Sequence, residues 1–266
     1  MLITGLHSIW NAFEVGYPFV EAILSIYPAV DELLIADWTS TDGTEKVLRR
    51  MEEEFPKIRV IKFPPEKGKD YEYLDFVLDK LLEEAEGEFI LQVQADEGYH
   101  EKDILKFREV AKTDNKHNVF VQRGLTVCSF RTVHSVGLPR IIRFFRNTGE
   151  VYFSEGGAGL RGKTFPIKRL FFPMFHFYNS FPGEQWRRAK RHHLWLATEC
   201  KLRAERYEYL KKKRAWENDE TYRSQGEPLD FQPSLFKGLA MMGEYRVRDV
   251  LFDKQWLRET TGLSYS

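Results

Sequence analysis

The sequence predicts an α/β fold: a mostly parallel sheet flanked by helices, with a helical appendage at the C-terminal end. Three observations carry that expectation. Short apolar runs alternate with amphipathic stretches through the first half of the chain, the pattern of strands joined by helices. Within Tyr71–Glu86, the residues Leu74, Val77, Leu78, Leu81, Leu82 and Ala85 recur at the spacing of a helix docked on a sheet. The composition is 42% hydrophobic, 30% charged and 15% aromatic, which places the chain among globular proteins rather than disordered ones.

Taken in order, Leu2–Leu6 reads as the first strand and Tyr17–Tyr27 as a helix stopped by Pro28. Glu32–Asp37 is a buried strand, followed by a turn and a helix from Thr44 to Glu54 that ends before Pro56. Ile58–Phe63 is a third strand, broken by Pro64 and Pro65, and Glu88–Val93 is a fourth, entered after Gly87. His100–Ala111 reads as helix and Asn118–Val127 as extended chain. Arg140–Phe145, Val151–Phe153 and Leu170–Phe177 read as strands around the stretch GGAGLRG. A long helix is expected over Glu184–Trp216, then a linker between Pro228 and Pro233, then a helical tail over Ser234–Arg258 with a break near Gly243. The expected organisation is a sheet-bearing domain over 1–182 and a basic helical region over 183–266.

Charge and cysteine content exclude several classes. Forty Lys and Arg balance forty Asp and Glu, and a chain that grips nucleic acid over its whole surface is normally basic. The balance is uneven, because Arg187–Arg214 holds eleven Lys and Arg against Glu199, Glu205 and Glu208. A basic segment on an acidic body suits a localised anionic partner. Cys128 and Cys200 are the only cysteines, so neither a disulfide framework nor a thiolate zinc site is expected, and a reducing, cytoplasmic setting is the default. No basic stretch followed by a long apolar run opens the sequence, so no signal peptide is expected. The apolar run Leu170–Tyr178 is too short to span a bilayer.

Two strand exits carry the chemistry. Asp37 ends the second strand and opens WTSTDGT; in open parallel sheets ligands bind beyond the carboxyl ends of strands. Asp42, three residues before Glu45, fits a helix N-cap with a capping box, and a well-capped turn is itself a sufficient reason for this segment. Gln92–Glu97 (QVQADE) ends the fourth strand. Its carboxylates Asp96 and Glu97 are placed to offer hard oxygen ligands to a divalent cation, which would neutralise a diphosphate. Capping of the following helix is the competing reading.

Together, Val30-Asp31-Glu32, LLIAD, WTSTDGT and VQADE stand in the order and spacing that resembles the GT-A glycosyltransferases, specifically the inverting family 2. RIIRFFRNTG (140–149), with His176 behind it, is similar to the distal part of family members that act on lipid-linked glycans. The resemblance implies a GT-A, Rossmann-like domain over 1–182 that transfers a sugar from a UDP- or GDP-linked donor to a glycan or lipid-linked acceptor hydroxyl. It implies a role for Asp37 at the nucleoside and for Asp96 at a Mn²⁺ or Mg²⁺ ion. Gln94 stands where the family motif has its first Asp; it can hydrogen-bond a ribose hydroxyl but brings no charge. A further metal ligand would then come from elsewhere, and His176 is the candidate, with a packed core histidine as the alternative. His7 is assigned to the nucleotide pocket. Asn11 and Glu14 are separated where the family has an adjacent Asn-Glu pair. The base expected to deprotonate the acceptor hydroxyl is Glu155, in place of the family's His-Glu pair; an exposed turn acid is the alternative there.

Gly157-Ala-Gly159-Leu-Arg-Gly162 matches a dinucleotide fingerprint formally, but no helix can open cleanly at the following Lys-Thr-Phe-Pro166. A mobile acceptor-side loop is expected instead. In the basic helix, Trp186, Ala189, His193, Leu196, Ala197, Cys200, Ala204 and Tyr207 form one stripe, and Trp195, Leu202, Tyr209 and Trp216 another, edged by Arg188, Arg191 and Arg206. Three uses of 195–216 are open: peripheral contact with the inner membrane surface, a homodimer or intramolecular seam, and a solvated face. Arg187, Arg188 and Lys190 are placed to approach the diphosphate. Two rival functions stand beside the transferase. A sugar-phosphate nucleotidyltransferase would want a Gly-rich basic loop after the first strand, which LHSIWNAFE lacks. A degenerate GT-A module for glycan binding or assembly is suggested by Gln94.

Overall fold

The computed structural model describes residues 2–64, 71–128, 132–133, 138–177, 227–228, 233–237, 239, 242 and 245–266. The expected helix over Glu184–Trp216, with both its stripes and its basic residues, lies outside them.

Seven elements alternate as the apolar runs predict: β1 (Ile3–Ile9), α1 (Ala12–Val15), α2 (Phe19–Ile26), β2 (Glu32–Asp37), α3 (Thr44–Glu54), β3 (Ile58–Lys62) and α4 (Tyr71–Glu84). β4 (Phe89–Gln92), the two-residue β5 (Glu97–Gly98) and α5 (Lys106–Thr113) follow. The second half is strand-rich: β6 (Val119–Cys128), β7 (Thr132–Val133), β8 (Leu138–Arg146), β9 (Val151–Ser154), β10 (Gly159–Gly162), β11 (Ile167–Arg169), β12 (Met174–His176) and β13 (Glu227–Pro228). The main sheet runs β13-β7-β6-β8-β4-β1-β2-β3, while β9 and β10 form a separate hairpin. β1 lies between β2 and β4, parallel to both, and β2 pairs parallel with β3. β8 runs antiparallel to β4 and to β6.

Period-two alternation sorts the strand residues onto two faces. Ile3, Ile9, Leu33, Ile35, Phe89 and Leu91 join the core under α2, α3 and α5. Leu6, Leu34, Ala36 and Ile90 join the core under α4, which buries Val77, Leu78, Leu81 and Leu82 there as its spacing predicts. Each fully buried side chain of this size contributes about 1.5–3 kcal/mol.

α2 (FVEAILSI) is buried on every side, which a surface helix never is, because the C-terminal segment covers the face turned away from the sheet. Leu235, Phe236, Tyr245, Leu251, Phe252, Leu257 and Tyr265 all belong to the same core. Glu21, fully buried on α2, accepts hydrogen bonds from the Tyr245 hydroxyl (2.9 Å) and from Arg248 Nη2 (3.1 Å). The tail is not the broken helix expected. It makes short 3-10 turns at Ser234–Phe236 and Asp249–Phe252, and a helix only over Lys254–Thr261. Its apolar residues are spaced to reach across α2 and α3, and Asp253 caps the last helix by accepting the Gln255 and Trp256 amides. Likewise the strand expected over Leu170–Phe177 is shorter than that: only Met174–His176 (β12) forms within it, after Pro173, and β11 (Ile167–Arg169) ends before Leu170.

Candidate active site

The carboxyl ends of β2 and β4 flank the end of β1, so the loops carrying Asp37 and Asp96 share one edge, about two strand spacings or 10 Å apart. A web of short contacts builds the β2 side. Asp37 is buried, and its carboxylate accepts the Ser40 amide (3.1 Å from Oδ1). Burial pushes its pKa up, while the hydrogen bonds from Ser40 act in the opposite direction. The Ser40 hydroxyl accepts the Asn11 amide (2.9 Å), and Asn11 Oδ1 accepts the Thr41 amide (2.8 Å). Asp42 does not cap α3 as the capping-box pattern predicts. Gly43 takes the cap position with a φ of 99°, and Asp42 Oδ1 accepts from the Thr44 amide and hydroxyl, at 3.1 and 2.7 Å. Its Oδ2 accepts the Glu14 amide (2.8 Å). Asp42 thus stitches the first loop to the second. Asn11 and Glu14, separated in sequence, meet here with Asn11 Nδ2 donating to Glu14 (3.2 Å).

His7 sits beneath this edge with no exposed surface, its Nδ1 2.8 Å from the Val93 carbonyl. Burial pushes its pKa down to about 4, so the ring is neutral and Nδ1 donates. Nε2 is buried without a hydrogen-bond partner.

On the β4 side, β5 pairs antiparallel with β12, placing His176 opposite Glu97. The same pairing sets His176 Nε2 3.4 Å from Asp96 Oδ2, and the Asp96 carbonyl accepts the Phe177 amide (2.6 Å). Asp96 is buried, which raises its pKa, with Coulombic attraction to His176 opposing. Glu97 is not a free partner to Asp96. Its two oxygens are held by Arg143 Nη2 and Nε, both at 2.7 Å, and Oε2 also accepts the Gln94 amide (3.0 Å). Burial opposes its ionisation, but the guanidinium prevails and holds the carboxyl below its ordinary range. The pair is almost fully buried and bidentate, the geometry in which such a pair can hold its charge. Gln94 is half-buried beside the next feature, the hairpin turn.

That turn, Glu155–Ala158, closes β9 onto β10. Gly157, Gly159 and Gly162 therefore lie in a hairpin and open no helix. Glu155, Gly156 and Gly157 all have positive φ, at 57°, 69° and 69°. A Cβ on Gly157 would fall 2.6 Å from Leu78 and 2.8 Å from Gln92, so only glycine allows this close approach. The turn is pinned rather than loose: Asp75 accepts the Gly157 amide (2.8 Å), Asp79 accepts the Phe153 amide (2.7 Å), and Arg143 Nη1 donates to the Gly157 carbonyl (3.1 Å). Glu155 is exposed at its tip.

Among the described residues, Asn11, Thr39 and Glu155 are the non-glycine residues with left-handed backbone, at φ of 44°, 58° and 57°. One follows β1, one follows β2, and one tips the hairpin against Gln92 and Gln94. Such conformations are rare and gather where function over-determines the backbone.

The sequence model for glycosyl transferase family 2 matches residues 9–169, which run from the end of β1 to the end of β11. The chain belongs to that family. Its sheet and helices are those of a GT-A glycosyltransferase. Among solved structures, the S. aureus TarS fragment 1–349 is 15% identical, with 85% of this chain and 76% of that one covered, at a TM-score of 0.48. The same fragment in complex with UDP-GlcNAc is 16% identical over 75% of this chain and 66% of that one, at 0.49. The mannosyltransferase PcManGT from Pyrobaculum calidifontis, in complex with GDP-Man and Mn²⁺, is 23% identical over 44% of this chain and 34% of that one, at 0.36. No curated protein sequence matches the chain.

For this family 2 glycosyltransferase, the donor set at the β4 exit can be tested against a divalent ion. Among the described residues no three His, Cys, Asp or Glu side chains converge on a common point. At the β4 exit Asp96 and His176 approach each other, and two cis ligands of an octahedral ion at about 2.1 Å lie about 3 Å apart, close to the 3.4 Å seen. One carboxylate and one imidazole fit an ion whose remaining positions come from a bound diphosphate and water. They do not make a closed protein site.

Neither Arg143 nor Asn11 receives a role of its own from the sequence pattern. A signal existed for the first: an arginine flanked on both sides by apolar pairs (IIRFF) in a strand must be buried, and a buried guanidinium requires an acid. For Asn11 the signal was the residue type, since asparagine tolerates the left-handed region best.

Proposed function

We propose that the chain moves a sugar from a nucleotide-diphosphate donor to an acceptor hydroxyl with inversion at the sugar carbon. In this reading the nucleoside lies over the loops after β1 and β2, with Asp37 toward the base or ribose, Gln94 toward the ribose and His7 supporting the pocket from beneath. Asp96 and His176 would hold Mn²⁺ or Mg²⁺; when bound, such an ion would offset charge on the leaving diphosphate. Glu155 takes the acceptor proton as the acceptor oxygen bonds to the sugar carbon and the bond from that carbon to the diphosphate oxygen breaks on the opposite face. The proton ends on Glu155 and the electron pair on the diphosphate. Arg143 acts through others, fixing Glu97 on one side and the hairpin turn on the other. The acceptor is a glycan or lipid-linked hydroxyl. The domain over 1–182 carries the chemistry, and contact with a membrane surface or a second subunit falls to 195–216 of the C-terminal region 183–266. Among the described residues no helix is long and apolar enough to cross a membrane, and a peripheral cytoplasmic placement is part of the proposal.

The observation that carries this reading is the Asp96–His176 approach, made by β5–β12 pairing on the edge that also holds Asp37. The test is a thermal-shift panel of UDP and GDP with and without Mn²⁺. A ligand at a hundred times its dissociation constant raises stability by about 2.7 kcal/mol. Asp96→Asn should abolish the metal-dependent part of that shift while leaving the unliganded melting curve in place. An unchanged Mn²⁺ dependence removes Asp96 from the site. The degenerate-module reading, which Gln94 favours, predicts nucleotide binding without donor hydrolysis.

A further inference from the structure

β6 and β8 carry two arginines that the reaction above does not use. Gln122 and Ile141 pair with each other and are 1% and 6% exposed, turned into the core. Their neighbours Arg123 and Arg140 therefore alternate to the opposite face, and both are exposed. The register shifts between Gln122 and Gly124: Gln122 opposes Ile141 but Gly124 opposes Leu138, so Arg123 faces Pro139–Arg140 across a bulge. Like charges set opposite each other across a strand pair are destabilising, and bulges often re-aim side chains beside active sites. Among the described residues neither guanidinium has a carboxylate or carbonyl partner. Nearby cations do: Arg143 holds Glu97, Arg161 meets Asp79, Lys163 meets Glu150 and Lys168 meets Asp114.

The position matters as much as the lack of partners. Thr126 of β6 pairs with His176, three residues from Arg123, and Arg140 stands three residues from Arg143. Three residues of strand span about 10 Å. The face is the one on which Leu160 and Phe153 of the β9–β10 hairpin pack, and that hairpin carries Glu155. Charge along the chain agrees. Residues 1–114, which carry Asp37 and Asp96, hold 25 acids against 13 Lys and Arg. Residues 115–183 hold ten Lys and Arg against Glu150 and Glu155. A donor diphosphate has its place at the β4 exit; the second, basic half offers its unpaired charge to something else.

Resting on the transferase reading, we propose that Arg123 and Arg140 form a subsite for a phosphate group of the acceptor, a phosphomonoester or phosphodiester lying near the hydroxyl that receives the sugar. Two opposed guanidinium forks match phosphate oxygens, which they can engage bidentately, and bound phosphate relieves their mutual repulsion. The phosphate belongs either to a soluble polymer or to a lipid headgroup.

The test titrates the full chain with a poly(glycerol phosphate) hexamer, with maltohexaose as the neutral control, and separately with vesicles of phosphatidylglycerol or phosphatidylcholine. Wild type should bind the phosphodiester hexamer but not maltohexaose. R123Q/R140Q should lose at least tenfold in affinity, and R123K/R140K should fall between the two. Binding to phosphatidylglycerol vesicles alone, lost in the Gln pair, supports the subsite and assigns the phosphate to a lipid. Equal binding by wild type and R123Q/R140Q, equal binding of maltohexaose, or binding of neither phosphate probe overturns it. No nucleotide is present in these titrations. Failure of UDP and GDP to shift the melting curve of the same preparation would therefore sink the donor reading alone.

Discussion

The loops after β1 and β2 and the β9–β10 hairpin sit at one edge of the sheet but are held by opposite means. The loops are held by their own polar residues: Asn11, Ser40, Asp42 and Thr44 bond to backbone a few residues away or in the adjoining loop. The hairpin buries Val151 and Phe153 in the core under α4, but the hydrogen bonds that fix its turn come from other elements. Asp75 and Asp79 from α4 and Arg143 from β8 hold it from outside. A self-tied loop is specified by local turn chemistry and survives changes elsewhere. A hairpin tied from outside depends on distant residues being correctly aimed, and β8 achieves this with register shifts near Arg143 and near Arg140.

The largest expected effect tests the outside ties. Arg143→Met leaves Glu97 charged and buried with no cation, so it should cost about 3–5 kcal/mol in chemical denaturation. Glu97→Met together with Arg143→Met removes both charges and should recover most of that loss. A double variant as unstable as the single one would mean that the bond to the Gly157 carbonyl, and not the charge pair, carries the stability.

Next is the floor beneath the loops. His7 has its pKa lowered to about 4 by burial, against about 6.5 in the unfolded chain. The unfolded state therefore binds more protons between these values. The stability gained by keeping His7 neutral is complete above pH 6.5 and is lost as pH falls toward 4, at about 1.4 kcal/mol per unit, or roughly 3 kcal/mol in all. Comparing His7→Gln with wild type from pH 7.5 to 4 isolates this contribution, and parallel curves would show that His7 does not titrate there.

What could be read from the sequence follows the same division. Asp37, Thr44 and the strand and helix around them were legible because a strand exit, a polar turn and a helix start are local patterns. The α4 stripe was legible for the same reason. Asp42 shows the limit even there: the capping-box spacing was present, but Gly43 took the cap and released Asp42 to bridge two loops. Glu97 was read as half of a metal-binding pair, since nothing adjacent to it reveals that Arg143, 46 residues on, claims both of its oxygens. Arg123 and Arg140 oppose each other only because one strand carries an extra residue, and a one-residue shift leaves no trace in hydrophobic alternation. The all-buried helix α2 was legible as a helix, but its cover, 224 residues downstream at Tyr245, was not.

A smaller effect is expected from Asn11, where side chain and backbone can be separated. Asn11→Ala removes the acceptor for the Thr41 amide and leaves alanine at a φ of 44°, so both losses add, to about 1–2 kcal/mol. Asn11→Gly removes the same bond but suits the left-handed backbone, so it should cost less than Ala. If the order reverses, the loop does not retain this conformation when the side chain is gone, and the loops depend on more than their own polar residues.

The smallest effect concerns Asp75, where charge and hydrogen bonding pull in different directions. Its carboxylate accepts the Gly157 amide (2.8 Å), yet burial raises its pKa, with that hydrogen bond opposing. A raised folded pKa means that ionisation works against the fold: any stabilisation from the protonated form is present at low pH and lost as pH rises through the folded value. At neutral pH the charge is therefore a modest liability and the acceptor oxygen the useful part. Asp75→Asn keeps an acceptor and removes the charge, so its stability should lie within about 0.5 kcal/mol of wild type, on the stable side if anything. Asp75→Ala removes the acceptor, and should cost about 1 kcal/mol, the usual worth of one such bond. The same ordering should appear in the hairpin itself, as faster hydrogen exchange at the Gly157 amide in Ala than in Asn. If Asn and Ala are equally destabilised, the carboxylate's charge is holding the turn, and α4 grips the hairpin by electrostatics rather than by a directed bond.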